Sequence, residues 1–279
     1  MIRAYHQPQR LEEALGLMAK GAVPVAGATS LYSSRNKPDA ELVDITRLGL
    51  GSLQVEPGRI SIGATVTLTQ LVESTELPGA EGELLRCAAG SITARPMRNA
   101  ITVGGNIAHV AFWSDMPVAL LALDAEVEIQ RAGEPSFVKP LADCLKGQAP
   151  WAGGLITRVL VPVKGGARGF GYERFSRTSN DYPMASACAT LTRDGEIARE
   201  VRLVVGALQP RAFRVPEVEE MLEGKAFSAE LLDQAAAKLR EVIQVAPNFR
   251  ASAEYRRELA GTLARRALHN AFSSVKREK

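Results

Sequence analysis

The sequence predicts an α+β fold of three lobes: two small α/β units over residues 1–54 and 55–165, then antiparallel sheet plus helices over 166–279. Three observations carry this. Apolar residues recur at helical spacing near both ends of the chain, and short alternating segments between them have the period of half-buried strands. A glycine-rich break, Lys164-Gly165-Gly166-Ala167-Arg168-Gly169, separates the second lobe from the third. A chain of 279 residues can bury a sizeable core and has room for several such units.

In the first lobe Leu11, Leu15 and Met18 fall on one side of a helix that Gly21 stops. Val23-Pro24-Val25-Ala26 reads as a short buried strand entering a glycine loop, and Glu41-Leu42-Val43-Asp44-Ile45 as a second strand. The second lobe opens on the alternating Arg59-Ile60-Ser61-Ile62-Gly63-Ala64. Thr69 precedes a helix through Leu71, Val72 and Glu73, and a further helix covers 84–92, with Pro96 ending it. After a second glycine loop comes the apolar run 117–123, followed by strands at 125–129 and 155–161. In the third lobe 185–192 and 201–205 read as strands, with Asp194-Gly195 as a hairpin turn signal. From Ala229 the pattern turns helical. It ends in a long helix over 253–272, with Tyr255, Leu259, Leu263 and Leu268 on its packing face.

Composition narrows the function classes. Hydrophobic residues make up 46% and charged residues 23%, as in an ordinary soluble protein. Thirty-four basic against 31 acidic residues leave a net charge of +3, too balanced for a nucleic-acid or membrane-surface footprint. No stretch approaches the roughly 18 apolar residues of a membrane span. The start, Met1-Ile2-Arg3-Ala4-Tyr5-His6, lacks an apolar signal region, so a cytoplasmic setting is expected. Cys87, Cys144 and Cys188 show neither disulfide nor metal spacing, and three thiols are too few for an iron–sulfur cluster held by this chain alone. His6, His109 and His269 have no metal-binding spacing.

Two loops carry the functional signal. Thr102-Val103-Gly104-Gly105-Asn106 has almost no side-chain bulk, and its backbone N–H groups are expected to be exposed as an anion-binding nest. Far upstream, Val25-Ala26-Gly27-Ala28-Thr29-Ser30-Leu31 is built on the same plan. Two such loops point to a ligand with two phosphates. Each alone also fits an ordinary tight turn. Asp115, ahead of Met116-Pro117, fits a helix cap, and Arg98 fits a surface charge. A dinucleotide fingerprint of the G-x-G-x-x-G type and a Walker loop are both absent. His109, Ser114 and Asp115 lie close together but lack a nucleophile elbow, which argues against hydrolysis.

In order along the chain, these features resemble the FAD-binding subunit of the molybdenum hydroxylases, the xanthine dehydrogenase and carbon monoxide dehydrogenase family. The resemblance runs from Tyr5-x-x-Pro8 with Glu12-Glu13-Ala14-Leu15, through Ala26-Gly27-Ala28-Thr29-Ser30, Leu42-Val43-Asp44-Ile45 and Ile62-Gly63-Ala64-Thr65-Val66-Thr67. It continues in Arg98-Asn99-Ala100-Ile101-Thr102-Val103-Gly104-Gly105-Asn106, Asp115, Leu123-Asp124-Ala125 and Phe175-Ser176-Arg177. It closes with Val205-Gly206-Ala207, Pro210-Arg211 and Tyr255-Arg256-Arg257, so it covers essentially the whole length.

The resemblance implies FAD as cofactor, held in two lobes of the vanillyl-alcohol oxidase (PCMH) type, with the two glycine loops on its diphosphate. It implies that Asp115 accepts from a ribose or adenylate hydroxyl, that Ile156 packs near the cofactor, and that 177–182 covers the flavin ring. Tyr182 in that segment is the candidate flavin gate. No catalytic residue and no metal ligand is implied on this chain. The implied role is electron transfer in a heterotrimer: from a small [2Fe–2S] subunit, through FAD, to an external acceptor, with the molybdenum cofactor on a large subunit. Two departures stand out. Met184 lies where the eukaryotic xanthine enzymes place a lysine, and Ala28 where glycine or asparagine is more usual. They leave the acceptor open among NAD, a quinone and O2, and the substrate is not legible in this chain. Two other classes compete: an FAD-binding scaffold or regulatory protein without turnover, and a stand-alone FAD oxidase. The oxidase is disfavoured by the short third lobe and by the absence of any histidine in it before His269.

Overall fold

Short parallel strands organise the first lobe of the computed structural model, which describes residues 2–33, 39–109, 111–164 and 168–275. Met1 and, from the glycine-rich break, Gly165, Gly166 and Ala167 lie outside the described residues. Strand β1 (Ile2–His6) and β2 (Val23–Val25) flank β3 (Ala40–Asp44), both pairing with it in parallel. Parallel neighbours need crossovers. Helix α1 (Leu11–Ala19) makes the first, and α2 (Thr29–Ser33) opens the second. Pro24 is tolerated because β2 is an edge strand. Strand β1 escapes the sequence reading because it is mostly exposed and carries no burial alternation. Ala14, Leu15 and Met18 of α1 pack with Val43, Ile45 and, from the next lobe, Leu155.

The second sheet is antiparallel throughout, in the order β4-β5-β8-β6-β7. Its strands are β4 (Leu53–Glu56), β5 (Arg59–Gly63), β6 (Glu126–Arg131), β7 (Phe137–Pro140) and β8 (Gly154–Pro162). Between β5 and β6 run α3 (Leu68–Glu73), α4 (Gly79–Gly90), α5 (Arg95–Ala100), α6 (Val103–Ala108) and α7 (Met116–Ala122), and α8 (Leu141–Cys144) follows β7. Ile60, Ile62, Leu84, Leu85, Leu120 and Ile129 are fully buried in the shared core. Several expected boundaries shift: the helix expected over 84–92 is α4, which starts at Gly79, and the strand expected at 201–205 starts at Ile197. Thr67, not Thr69, starts α3: its Oγ1 accepts from Gln70 N at 3.3 Å while Gln70 Oε1 accepts from Thr67 N at 2.8 Å, a reciprocal capping box. Pro96 opens α5 rather than ending a helix, since the first turn has no use for its missing N–H.

The third sheet is antiparallel, β12-β11-β10-β9, from β9 (Arg168–Phe175), β10 (Ala185–Asp194), β11 (Ile197–Gly206) and β12 (Phe213–Arg214). Helices α9 (Pro216–Leu222), α10 (Ala229–Val242) and α11 (Ala253–Ser274) complete the lobe. Helix α11 lies close against β9 because Gly169 and Gly171 have no side chains. An added Cβ would come within 2.0 Å of the Ala271 and Ala267 carbonyl oxygens, respectively. Lobes two and three are also joined by a buried ion pair, Arg168 Nη1 to Glu81 Oε1 at 3.2 Å. Arg168 Nη2 donates to Ala122 O and to Thr190 Oγ1. None of the described helices is long and apolar enough to cross a membrane.

Candidate functional site

A cleft of about 1080 Å³ is lined by residues of all three lobes. That places it at the top of the range for ligand pockets, roughly 300–1,000 Å³. Every candidate cofactor-binding residue read from the sequence lines it except Val103, and of the segment 177–182 only 179–182 do.

The two glycine loops meet on the cleft floor. Gly27 ends the turn after β2 and touches the end of α5: a Cβ there would sit 1.5 Å from the Ala100 carbonyl oxygen. Only a glycine permits that approach. Ala28, at φ +55°, occupies the left-handed region that glycine and asparagine enter most readily, which accounts for their use at this position in the resemblance. Among the described residues, the N–H groups of Gly27 and Ala28 have no hydrogen-bond partner and lie at the cleft.

The second loop differs from expectation. Its N–H groups are not an open nest, because the segment is the capped start of α6 docked on the strand-like stretch after β5. Val103 N donates to Val66 O at 2.8 Å and Gly104 N to Ala64 O at 2.9 Å. Gly105 N donates to Thr102 Oγ1 at 3.2 Å, and Asn106 N to Thr102 O at 2.8 Å. Val103 points into the core with no exposed surface, so its side chain is structural. Gly104 is buried against Ala64, where a Cβ would find 2.7 Å, whereas Gly105 is exposed at the cleft. One polar atom here is unsatisfied: Asn106 Oδ1 is buried without a hydrogen-bond partner. A buried acceptor beside a cavity can accept from a ligand donor.

Asp115 stands at the N-cap of α7 but makes no side-chain capping bond. Its carboxylate, in a residue only 4% exposed, accepts from Tyr172 Oη at 2.6 Å, Ser91 Oγ at 2.9 Å and Arg174 Nε at 3.3 Å. Burial pushes its pKa up, and the Arg174 charge with the three donors pulls the other way. A carboxylate offers about four acceptor sites, so one remains for the cleft. Ile156, on β8, also lines the cleft and is nearly fully buried.

The third lobe closes the cleft with 179–182. Tyr182, 44% exposed, stacks on Trp113 with ring centroids 4.5 Å apart and planes at 28°. The Arg250 guanidinium sits 5.2 Å from its ring centroid. Asn180 Oδ1 accepts from Thr93 Oγ1 across the lobe boundary. Arg98 is no idle surface charge: its Nη1 donates to Ile92 O at 2.8 Å and Thr93 O at 2.9 Å, steadying that wall.

Sequence reasoning missed Trp113, Ser91 and Arg174. Trp113 is flagged only by the pair Phe112-Trp113 just before Ser114-Asp115, and nothing in the sequence marks Ser91 or Arg174 as partners of Asp115. Among the described residues no cluster of histidine, cysteine and carboxylate side chains could hold a metal. The cleft therefore offers unpaired N–H groups, an orphan acceptor, one buried carboxylate and an aromatic lid. That is equipment for holding a large cofactor.

Comparison with known proteins agrees. Residues 1–164 match the family model described as "FAD binding domain in molybdopterin dehydrogenase", and 170–271 match "CO dehydrogenase flavoprotein C-terminal domain". The chain is 30% identical to the glyceraldehyde dehydrogenase medium chain of Sulfolobus acidocaldarius, over 95% of this chain and 96% of that protein. It is 29% identical to the carbon monoxide dehydrogenase medium chain of Afipia carboxidovorans, over 98% and 97%. A solved structure of carbon monoxide dehydrogenase from Hydrogenophaga pseudoflava, which lacks the Mo-pyranopterin moiety of its molybdenum cofactor, aligns with a TM-score of 0.94 at 26% identity. It covers 99% of both chains.

Proposed function

Since the chain belongs to the family of FAD-binding medium subunits of the molybdopterin dehydrogenases, we propose that its cleft holds FAD for electron transfer within a larger complex. The observation that carries this is the convergence of the unpaired N–H groups of Gly27 and Ala28, the orphaned Asn106 Oδ1 and Asp115 on one cleft. Residues 25–31 and, apart from the core-facing Val103, 102–106 hold the diphosphate between the lobes 1–54 and 55–165, and 166–279 covers the flavin ring. Gly105 leaves room for the diphosphate, and the buried Asn106 Oδ1, an acceptor, takes a hydrogen bond from a hydroxyl or N–H donor of the cofactor rather than from the diphosphate itself. Asp115 accepts from a ribose or adenylate hydroxyl at its remaining site, and Ile156 packs beside the cofactor. Tyr182 shields the reactive edge of the ring and limits what reaches it.

When bound, the flavin supplies the redox chemistry, receiving electrons from a small [2Fe–2S] subunit and returning them to an external acceptor. Substrate oxidation belongs to a molybdenum cofactor on a large subunit, in a soluble, cytoplasmic heterotrimer. This chain binds, orients and excludes water.

The test is flavin content of the purified chain with its partner subunits, read by absorbance and by FAD uptake. Gly105→Val puts a branched side chain into the cleft, so FAD and dehydrogenase activity should be lost together. Absence of flavin from the wild-type complex would sink the proposal. Activity that survives loss of flavin would make the chain a scaffold.

A further inference from the structure

The guanidinium of Arg174, on β9, has all three nitrogens engaged, and its partners belong to two different lobes. Nε donates to Asp115 Oδ2 at 3.3 Å, Nη1 to Ser176 Oγ at 2.8 Å, and Nη2 to the Asp181 carbonyl oxygen at 2.6 Å. The side chain is 15% exposed, so these bonds are made largely out of water. Asp115 belongs to the second lobe and Asp181 to the aromatic lid of the third. Ser176 Oγ passes the connection on to the Thr178 carbonyl at 2.7 Å. Asp181 Oδ1 accepts from Tyr182 N at 2.8 Å, so the residue Arg174 grips also sets the backbone of the stacked tyrosine.

We propose that Arg174 is a positioning residue that couples the second-lobe carboxylate to the third-lobe lid: a nucleotide hydroxyl on Asp115 orders the lid segment 178–182. The inference rests on the FAD reading above. Burial disfavours the ionised form of Asp115. A ligand hydroxyl donating to the carboxylate stabilises that ionised form, and ionisation strengthens its pairing with Arg174. A firmly held Arg174 keeps Ser176 and Asp181 in place, and Tyr182 with them. The remaining lid contacts bypass Asp115: Thr93 holds Asn180, Arg250 holds Asp181 at 3.3 Å, and Trp113 stacks on Tyr182. Arg174 is thus the one described side chain bonded to both the carboxylate and the lid.

ADP separates the two, because it carries the ribose hydroxyls and diphosphate but no flavin ring. Hydrogen exchange of the full chain should show 178–182 slowed on the order of tenfold by saturating ADP, the effect of one charge-assisted hydrogen bond. In Arg174→Gln, ADP should still bind while that protection disappears, and FAD should dissociate on the order of tenfold faster. Arg174→Lys keeps the charge beside Asp115 but cannot reach Ser176 and Asp181 together, so it should retain ADP binding with weakened protection. A merely structural arginine would shift melting of the ligand-free variants without altering the ADP-dependent change. Protection absent from the wild type with ADP bound, or surviving in Arg174→Gln, overturns the coupling while FAD binding stands. A chain that takes up neither FAD nor ADP overturns the cofactor reading and the coupling with it.

Discussion

Gly27→Ala is the sharpest test of how the cleft floor is built. The added Cβ would lie 1.5 Å from the Ala100 carbonyl oxygen and 2.5 Å from its carbon. Ordinary contact begins at 3.4 Å, so the loop and the end of α5 must part by nearly 2 Å. Both partners are backbone, and no side-chain rotation relieves the clash. Overpacking costs typically 1–3 kcal/mol, and a main-chain clash belongs at the top of that range, about 3 kcal/mol. At roughly 2–4 °C per kcal/mol for a chain of this size, the melting temperature should fall by about 6–12 °C. The two loops separate as well, so FAD affinity should fall with stability. Calorimetry of the FAD-free protein gives the first quantity, free of the stabilisation that bound ligand adds by mass action, and the flavin-to-protein ratio gives the second. Gly105→Ala is the control: its Cβ meets only the Thr102 hydroxyl, at 2.8 Å, so its stability loss should be much smaller. A Gly27→Ala protein with unchanged melting and full flavin would show that the loops do not depend on this contact.

Glu81→Gln should cost about 3–5 kcal/mol by urea unfolding, because it strips the carboxylate from a buried Arg168; a loss below 1 kcal/mol would deny that the pair locks lobes two and three. Asp124 is pushed up by burial but drawn below its ordinary value by Arg202 and Lys164, so its contribution is complete above about pH 4 and lost as pH falls further. Asp124→Asn should therefore lower stability by about 1–2 kcal/mol at pH 7 and converge on the wild type in acid, with a uniform offset at all pH values as the refuting result. Tyr182→Ala should change flavin fluorescence and reoxidation rate while weakening FAD binding by no more than about 1 kcal/mol, and unaltered reoxidation would remove the gate.

How far the sequence reaches depends on whether a feature is local. The loop 25–31 is legible because a left-handed turn and a close approach both demand small residues, and Ala28 at φ +55° confirms where the unusual backbone lies. The long C-terminal helix is legible from its periodicity, but its packing face is not: Tyr255 is 46% exposed and Leu259 only partly buried, while Arg256, read as solvated, is buried among the alanines that face the sheet. The docking of α6 is not, because the acceptors of its N–H groups, Ala64 and Val66, lie about 40 positions upstream and pair through tertiary structure alone. Hence Val103 reads as a cofactor contact and proves to be core. Asp115 has the sequence context of a cap, yet its partners Ser91, Tyr172 and Arg174 come from three separate segments. Trp113 sits in a loop without period, so its stacking on Tyr182 has no signature.

The contacts that shape the cleft fall into two kinds, and their distribution has a consequence for binding. At the glycine loops they are backbone against backbone, Gly27 on Ala100 and Gly104 on Ala64, with no freedom to adjust. At the aromatic lid they are hydrogen bonds and ring contacts between side chains: Thr93 with Asn180, Arg174 and Arg250 with the Asp181 region, Trp113 with Tyr182. Close-packed backbone resists deformation, whereas side-chain hydrogen bonds can be exchanged with water at modest net cost. The glycine-loop floor, proposed to hold the diphosphate, is therefore preformed, and the aromatic lid, proposed to cover the flavin ring, is held by contacts that can be exchanged. On the proposed reading, FAD would stay anchored by its nucleotide half while the side nearest the lid admits and releases reaction partners, the division that electron transfer would require.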